Sequence, residues 1–521
     1  MTEPRPDTPH RPQIRPTLDD FRAVAPAQRV IPVWRRLMGD CETAVSLYAA
    51  LATDPTDGRG RPGTFLLESA ETNGLYARYS FIGVRAAATL TEVDGQAHWT
   101  GHVPVGLPTG GNPLEVVKQT LELLHTPRTS PAHPDDLPSL TSGLVGHISY
   151  DAVRRVERLP DDNVDDLQVP EVCMLLASDL AVLDHHTGEV WLIANAINFD
   201  ATHLRVDAAY TDAVSRVEEM TQQLLGTRPQ LLRAIAVDTA EPAVSRQRTP
   251  QEFGAAVDAA VEEIKAGEAF QIVVSQRFEL PTSADVLDIY RVLRLTNPSP
   301  YMYLLRLDGY DIVGCSPEAL VTVKDGQAVT HPIAGSKPRG VDPAGDAAYE
   351  HELRNDPKER AEHVMLVDLG RNDLGRVCRP GTVAVVEFMA VRRYSHIMHL
   401  ESTVVGEVAD GHSPVDVVMA CFPAGTLTGA PKVRAMEIID RLEVSRRGLY
   451  GGVIGYFDFA GAADTAIAIR TALLKDGTAY VQAGCGIVAD SDPATENQES
   501  INKAAAVVRA IGTASSWRGT A

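Results

Sequence analysis

The sequence predicts an α+β protein whose second half is dominated by antiparallel β-sheet. Strand-like segments lie at 270–278, 302–307, 311–315, 451–459, 466–474 and 479–488, and several of them follow one another through short turns. Short turns join antiparallel neighbours, whereas parallel strands need long crossovers. Helical periodicity appears in separate segments, such as 207–225 and 253–264, and does not alternate with every strand. This order favours α+β over an alternating βαβ fold.

Composition shifts predict two structured regions. The polar residues 1–16, with five prolines, predict a disordered tail. We expect a first region at 17–225, a linker with three prolines at 226–251, a second region at 252–511 and a flexible tail at 512–521.

Charge and cysteine content exclude several classes of function. The 521 residues carry a formal net charge of −21, which disfavours a nucleic acid or an anionic membrane as the main partner. An anionic small molecule stays possible where Arg, Lys or a metal is placed locally. Six scattered cysteines without C-x-x-C spacing disfavour a zinc site or a disulfide framework. There is neither a membrane-length apolar run nor the apolar core of a signal peptide. We therefore expect a cytoplasmic protein.

Two Glu-x-x-Glu steps, each preceded by Asp-Pro, form the most informative motif. They are Glu359 with Glu362, and Glu496 with Glu499. Asp caps helices and Pro suits their first turn, so each helix presents two carboxylates on one face. If the helices meet, a hard cation such as Mg²⁺ would offset the repulsion between the carboxylates. The spacing does not show that they meet, and two solvated helix starts would explain it equally.

Three further segments carry residues suited to an anionic ligand. Arg470 lies among alanines on a predicted strand face, where a buried guanidinium needs either a bound carboxylate or a structural ion pair. Gly484 and Gly486 allow a ligand to approach the backbone, although a β-bulge uses glycines in the same way. Lys503 follows a glutamate by four residues, which fits an ordinary helix ion pair or a contact with substrate.

Two turns supply candidates for acid–base chemistry and ligand contact. Glu318 follows an apolar strand, so partial burial would raise its pKa and allow general acid catalysis; an exposed turn glutamate is the plainer alternative. The loop 422–432 is not a phosphate loop, because Ala430 and Pro431 separate its last glycine from its lysine. It leads into a predicted helix at 433–442 and is suited to placing hydroxyl and N–H groups near a ligand.

Taken in order, these segments resemble the chorismate-utilising enzymes, most closely the large subunits of the anthranilate synthases. The matching segments are 269–276, 314–318, 332–340, 358–363, 368–373, 422–432, 450–452 and 482–499. This ordered co-occurrence covers nearly the whole second region and is far more specific than any single motif. The resemblance implies large antiparallel sheets packed as a sandwich with helices outside. It also implies a lyase that converts chorismate and ammonia to anthranilate and pyruvate, the first committed step of tryptophan biosynthesis.

The resemblance implies roles for individual residues. Glu362 and Glu499 would bind Mg²⁺, with Glu359 and Glu496 supporting it through water. Glu318 would protonate the departing C4 hydroxyl while ammonia adds at C2. The implied catalytic set also includes His399, Gln271 and Thr426. Of these, His399 would assist the loss of pyruvate. The implied substrate contacts are Gly335, Ser336, Tyr450, Arg470, Gly484, Cys485, Gly486 and Lys503.

Two positions distinguish members of the family. Isochorismate and salicylate synthases, which use water, place a lysine where this chain has Gln271. Aminodeoxychorismate synthases usually place a lysine at the position of Ala334. The lysine at the first position would act as a base towards water, and the lysine at the second would attack the ring as a nucleophile. Gln271 and Ala334 can do neither, which favours ammonia as reactant and anthranilate as product. The alternatives are an aminodeoxychorismate synthase large subunit and a non-catalytic ligand-binding regulator on the same fold.

The resemblance also implies partners and an effector. No glutaminase motif is present, so a separate glutamine amidotransferase subunit is expected, in a heterotetramer of two large and two small subunits. Feedback inhibition by L-tryptophan is expected at two segments, although a proline-rich turn would explain the second. The implied contacts are Leu67, Glu68, Ser69, Pro298, Ser299, Tyr301 and Met302, with the glutamate meeting the amino group. Ser336 and Lys337 depart from a more usual Thr-Arg, and Cys485 replaces a smaller residue.

Overall fold

The computed structural model describes residues 13–54, 56, 58–70, 78–128, 137–226, 231–233, 242–393 and 397–517. Most of the disordered tail predicted at 1–16 and part of the predicted linker lie outside these residues. The helices are α1 (Leu18–Val24), α2 (Ala44–Leu51), α3 (Pro113–Leu123), α4 (Val206–Leu225), α5 (Pro250–Lys265), α6 (Val286–Thr296), α7 (Pro343–Asn355), α8 (Pro357–Gly375), α9 (Pro414–Cys421), α10 (Gly425–Thr428), α11 (Lys432–Leu442) and α12 (Pro493–Ser516), with a 3-10 helix at Tyr150–Arg155.

The strands occupy the segments between these helices. They are β1 (Val30–Met38), β2 (Thr64–Glu68), β3 (Tyr79–Val93), β4 (Gln96–Gly101), β5 (Gly143–Ile148), β6 (Val172–Asp184), β7 (Glu189–Ile197), β8 (Ser245–Arg246), β9 (Gln271–Pro281), β10 (Tyr301–Leu307), β11 (Tyr310–Ser316), β12 (Ala319–Lys324), β13 (Gln327–Thr330), β14 (Ile333–Pro338), β15 (Ala384–Arg393), β16 (Ile397–Glu407), β17 (Gly429–Ala430), β18 (Val453–Asp458), β19 (Ala463–Ile467), β20 (Thr471–Lys475) and β21 (Thr478–Ile487).

Every strand pairing in the described part of the chain is antiparallel, which confirms the α+β prediction. The sheet divides at β6, which pairs with β3, β5 and β7. The first branch continues from β3 through β2, β10, β11, β20 and β21 to β9. The second continues from β5 through β18, β19, β12 and β13 to β16, which also pairs with β14 and β15.

The two branches pack face to face around one apolar core. Phe65, Tyr303 and Ile312 from the first branch share a buried cluster with Ile454 and Ala466 from the second. Facing sheets that enclose such a cluster form a sandwich. The large antiparallel sandwich is therefore confirmed.

Helices cover the outer faces of the sandwich. Because side chains alternate along a strand, Leu66, Leu304 and Val313 point away from the central core. They pack in a second cluster with residues of α2, α4, α6 and α12. On the other side, β5, β12, β16 and β18 pack against α3 and α9.

The two predicted regions share these sheets. Strand β2 of the first region pairs with β10 of the second, and β5 pairs with β18. The predicted outer boundaries also shift. Helix α12 continues to Ser516 with Ala514 fully buried, so the tail predicted to start at 512 begins too early. At the other end, Arg15 forms a backbone bridge with Trp34, so the predicted tail includes an ordered residue.

The strand predicted at 466–474 is wrong as a single element. Strand β19 pairs with β12 in the second branch, whereas β20 pairs with β11 in the first, so the chain crosses between branches at residues 468–470. Arg470 takes a left-handed conformation there, with φ of 52°. Residues other than glycine rarely adopt this conformation, and it ends the strand alternation that the sequence suggested.

Two further observations bear on the environment of the protein. All six cysteines lie in the described part of the chain, and each is a free thiol. Among the described helices, none combines the length and apolar character needed to cross a membrane.

Candidate active site

A cavity of about 730 Å³ lies between the two branches. Its walls come from β9 and β21 of the first branch, from β14 and β16 of the second, and from α8, α10 and α12. The predicted catalytic, substrate and metal residues all line it except one. They are Gln271, Glu318, Gly335, Ser336, Glu359, Glu362, His399, Thr426, Tyr450, Arg470, Gly484, Gly486, Glu496, Glu499 and Lys503.

Glu318 is a partly buried acid in the wall of this cavity. Its backbone N–H donates to Ser316 Oγ (3.3 Å), which fixes the turn after β11. Its carboxyl Oε1 accepts a hydrogen bond of 2.9 Å from Thr426 Oγ1. Burial raises the pKa of Glu318 to about 7, although the Thr426 bond opposes the rise. A carboxyl with this pKa is protonated in a large fraction of molecules at neutral pH and can donate a proton.

Arg470 places a positive charge in the same cavity. The turn between β19 and β20 carries it, and its carbonyl accepts the Cys315 N–H at 3.1 Å. Burial lowers the pKa of its guanidinium, because the charge has lost water. Across the described ranges no Asp or Glu forms an ion pair with it, so the structural ion pair considered from the sequence is not found. A desolvated guanidinium of this kind favours a bound carboxylate.

The two carboxylate-bearing helices both line the cavity. Asp356 caps α8 by accepting the Lys358 and Glu359 N–H groups, and Asp492 caps α12 by accepting the Thr495 N–H. Both caps match the prediction from Asp-Pro. All four glutamates line the cavity.

Charges within the cavity are only partly balanced. Burial, followed by the nearby Glu362 and Asp356 carboxylates, raises the pKa of Glu359. Gln271 Nε2 donates to Glu362 Oε1 (3.2 Å), and Lys503 Nζ pairs with Glu499 Oε1 (2.7 Å). The lysine therefore forms the predicted helix ion pair and also lines the cavity. No three His, Cys, Asp or Glu side chains of the described residues lie close enough together to hold a metal ion.

His399 and two glycines shape the remaining wall. The His399 Nδ1 lies 2.9 Å from the Gly335 carbonyl, so Nδ1 carries the proton and Nε2 is the nitrogen able to accept one. Burial lowers the pKa of this imidazole, which favours its neutral form. A Cβ on Gly335 would lie 2.9 Å from Glu359 Oε2, and one on Gly486 would lie 2.4 Å from Gln271 Nε2. Both glycines thus make room for cavity side chains.

The predicted substrate contact of Cys485 needs correction. Strand alternation turns its side chain away from the face that carries Gly484 and Gly486. The thiol is buried in a separate apolar cluster behind the cavity, and its Sγ donates to the Glu496 carbonyl at 3.1 Å. It supports the wall from outside and does not line it.

The two segments predicted to bind an inhibitor are neighbours in the structure. Glu68 of β2 lies opposite Met302 of β10, and the Ala70 N–H donates to the Ser299 carbonyl at 3.1 Å. Pro298 and Ser299 also line the large cavity, so this loop contacts both the cavity and the segment of Glu68. Met302 is fully buried in the outer core.

Around Glu68, Leu67 and Tyr301 pack against the central core. The Ser69 hydroxyl has no hydrogen-bond partner within the described part of the chain. The Glu68 carboxylate is already occupied. It accepts two bonds from Arg294 (2.7 and 2.9 Å) and one from the Tyr290 hydroxyl (2.6 Å). The predicted contact with an amino group would require an exchange of partners.

Several residues at these sites were not predicted. Tyr290 and Arg294 lie one turn apart on α6, and helical periodicity indicates that they share a face. Gln482 lines the cavity two residues before Gly484, so strand alternation could have identified it. Lys358 and Asn297 also line the cavity, although neither was assigned a role from the sequence.

Comparisons with known proteins agree with this geometry. Residues 63–509 match the family model described as chorismate binding enzyme. The chain is 56% identical over 504 residues to the anthranilate synthase component 1 of Mycolicibacterium smegmatis, covering 95% of this chain and 93% of that protein. It is 53% identical over 511 residues to that of Arthrobacter globiformis, covering 96% and 94%.

Solved structures show the same architecture. The crystal structure of anthranilate synthase component I from Streptococcus pneumoniae superposes with a TM-score of 0.74 at 34% identity, covering 84% of this chain and 93% of that one. The menaquinone-specific isochorismate synthase of Escherichia coli superposes with a TM-score of 0.67 at 18% identity, covering 95% and 98%, and supports the fold alone. The chain belongs to the family of chorismate binding enzymes.

Proposed function

We propose that this chain is the large component of an anthranilate synthase, which converts chorismate and ammonia to anthranilate, pyruvate and water. One observation carries the proposal. A single cavity brings together the acid Glu318, the unpaired guanidinium of Arg470 and the two carboxylate-bearing helices. The curated relatives named as component 1 support the same activity.

The proposed reaction needs an acid, an anion-binding group and a later base. Chorismate is a dicarboxylate, and Arg470 and Lys503 would neutralise its carboxylates. As the ammonia nitrogen bonds to C2, the C4–O bond breaks, and Glu318 donates its proton so that water leaves. The added nitrogen gives up one proton to become the neutral amine. In the second step the C2 proton is lost as the ring C–O bond of the enolpyruvyl ether breaks, the departing enolate takes up a proton at its methylene carbon to become pyruvate, and the ring becomes aromatic. His399, whose Nδ1 proton is held by the Gly335 carbonyl, would accept a proton at Nε2 in that second step.

Mg²⁺ is the proposed cofactor. The donor set fits it, because four carboxylates share one cavity and Glu359 already has a raised pKa from burial and neighbouring negative charge. Glu362 and Glu499 would bind the ion, with Glu359 and Glu496 behind them through water. Since the glutamates do not yet converge on one point, side-chain movement would accompany binding. The bound ion would supply positive charge to a substrate carboxylate.

Ammonia would come from a separate glutamine amidotransferase subunit. The relatives' designation as component 1 implies a second component. The free thiols suit the reducing cytoplasm in which we place the enzyme. Heterotetramer formation is part of the same proposal.

The product decides between this function and its alternatives. With chorismate, Mg²⁺ and an ammonium salt, we expect fluorescent anthranilate and an equal amount of pyruvate, both identified by mass. Accumulation of 4-amino-4-deoxychorismate would favour the aminodeoxychorismate alternative, which Ala334 in the cavity wall disfavours. Binding of chorismate without turnover would favour the non-catalytic regulator. Isochorismate or salicylate as product would also contradict the proposal.

We further propose that L-tryptophan inhibits the enzyme at the site between β2 and β10. An α-amino acid carries both charges needed to exchange with the Glu68–Arg294 pair, its ammonium meeting the glutamate and its carboxylate meeting the arginine. Glu68→Gln should therefore raise the tryptophan concentration for half-inhibition by at least tenfold, because the amide carries no charge. Each rate is compared with the same variant's uninhibited rate, so a change in basal activity does not affect the result. Half-inhibition at the original concentration would contradict the assignment.

A further inference from the structure

A fully buried ion pair lies directly behind the cavity. Arg447 is only 2% exposed, and Glu443, four residues earlier, is 8% exposed. The guanidinium donates two bonds to the carboxylate, from Nε to Oε2 (2.9 Å) and from Nη2 to Oε1 (2.7 Å). Neither residue lines the cavity. A buried pair of this kind contributes little net stability, because desolvation costs nearly as much as the attraction returns. Its position therefore suggests a further role.

The arginine end of the pair holds three cavity-wall segments. Its Nη1 donates to the Leu427 carbonyl (2.7 Å), one residue after Thr426. Its Nη2 donates to the Val273 carbonyl of β9 (2.7 Å). The guanidinium also lies 5.5 Å from the ring centroid of Tyr450. Val273, Leu427 and Tyr450 all line the cavity.

The glutamate end reaches a fourth segment. Glu443 Oε1 accepts bonds from the Ser275 N–H (2.9 Å) and the Ser275 hydroxyl (2.7 Å). That hydroxyl oxygen accepts a bond from Gln482 Nε2 (2.8 Å). Gln482 lines the cavity on the strand that carries Gly484 and Gly486.

We infer that Arg447 and Glu443 are positioning residues, which hold the loop of Thr426, strands β9 and β21, and Tyr450 in the geometry that the reaction requires. The Arg447 guanidinium makes four hydrogen bonds, two to the carboxylate and one to each carbonyl, whereas a lysine ammonium has only three donors, so lysine is not equivalent. The inference rests on the proposed function, because its kinetic tests follow the formation of anthranilate. Misplacement of a reacting group by about 1 Å can cost about 10²-fold in rate, even when the altered residue lies outside the site.

Four variants of the full-length chain test the inference by steady-state kinetics, at a temperature where circular dichroism shows each to be folded. We expect Arg447→Lys to lower kcat at least tenfold. The neutral pair Arg447→Met/Glu443→Gln avoids an unpaired buried charge and should lower kcat by about 10- to 100-fold. Ser275→Ala removes only the branch to Gln482 and should lower kcat about threefold to tenfold. The chorismate KM should change less than kcat in all three, because Arg470 and Lys503 do not bond to the pair.

The matched control is Arg306→Lys. Arg306 is also buried, pairs with Asp285 (2.7 and 2.8 Å) and does not line the cavity, so kcat should stay within twofold. A folded neutral pair with kcat within threefold of the unchanged chain would overturn the inference. If that variant does not fold, an unchanged kcat in Ser275→Ala would overturn it. Failure of the proposed function would appear separately, in the product made by the unchanged chain, and the variants would then be compared on that product.

Discussion

Glu318→Gln is expected to lower kcat by about 10²- to 10⁴-fold, the usual contribution of a general acid. The amide keeps the size of the side chain and can still hydrogen-bond to Thr426, but it carries no acidic proton for the leaving hydroxyl. The loss should appear in kcat and in kcat/KM, since the interaction forms only as the C–O bond breaks. Anthranilate fluorescence with saturating ammonium provides the measurement.

Glu171→Gln is the matched control for this variant. Glu171 is also a partly buried glutamate, pairs with Arg155 and does not line the cavity, so its replacement should leave kcat within about threefold. A Glu318→Gln enzyme with more than one-tenth of the original kcat would show that another group supplies the proton.

The pH dependence gives an independent test of the same acid. Activity needs the protonated carboxyl, so kcat/KM should be high below about pH 7 and fall as pH rises through the pKa of Glu318. The Thr426 hydrogen bond stabilises the carboxylate and so lowers that pKa. Thr426→Val should therefore move the falling limb to higher pH. Profiles are measured with the concentration of uncharged ammonia held constant, and an unmoved limb would contradict the assignment.

Glu499→Gln is expected to lower kcat by roughly 10³-fold, because a directly bound metal supplies several kcal/mol of charge stabilisation. The amide oxygen is a poorer ligand for a hard cation than the carboxylate, so the Mg²⁺ concentration for half-maximal rate should rise as well. Calorimetric titration with Mg²⁺ in the presence of chorismate would measure the loss of affinity directly.

Glu496→Gln serves as the graded comparison on the same helix face. A residue that acts through water should cost about 10- to 100-fold, less than a direct ligand. Glu499→Gln also removes the ion-pair partner of Lys503. Lys503→Met therefore measures the effect of losing this ion pair separately from the effect of losing a metal ligand. Equal losses in Glu496→Gln and Glu499→Gln would contradict the proposed division of roles.

Local sequence patterns predicted the parts of the molecule that depend on near neighbours. The Asp-Pro caps start α8 and α12 where expected, because cap hydrogen bonds join residues two or three apart. The antiparallel class followed from short turns between strands. The catalytic, substrate and metal residues that the family motifs predicted all line the cavity, with Cys485 as the exception.

Other features depend on contacts between distant parts of the chain. The strand containing Arg470 breaks because its two halves pair with different branches of the sheet, which no local periodicity encodes. Glu68 meets Arg294 across 226 residues, so its occupied state was invisible in either segment alone. The pairing of β5 with β18 likewise joins two regions that composition separates.

The sequence by itself therefore determined the fold class, the two carboxylate-bearing helix starts, and the identity of the candidate acid Glu318, the guanidinium of Arg470 and the four glutamates. Only the tertiary structure decided that these groups share one cavity, that burial raises the pKa of Glu318, and that Arg447 and Glu443 hold the walls. The physical reason is that burial and charge proximity arise from packing between residues far apart along the chain, whereas caps and turns are set by neighbours.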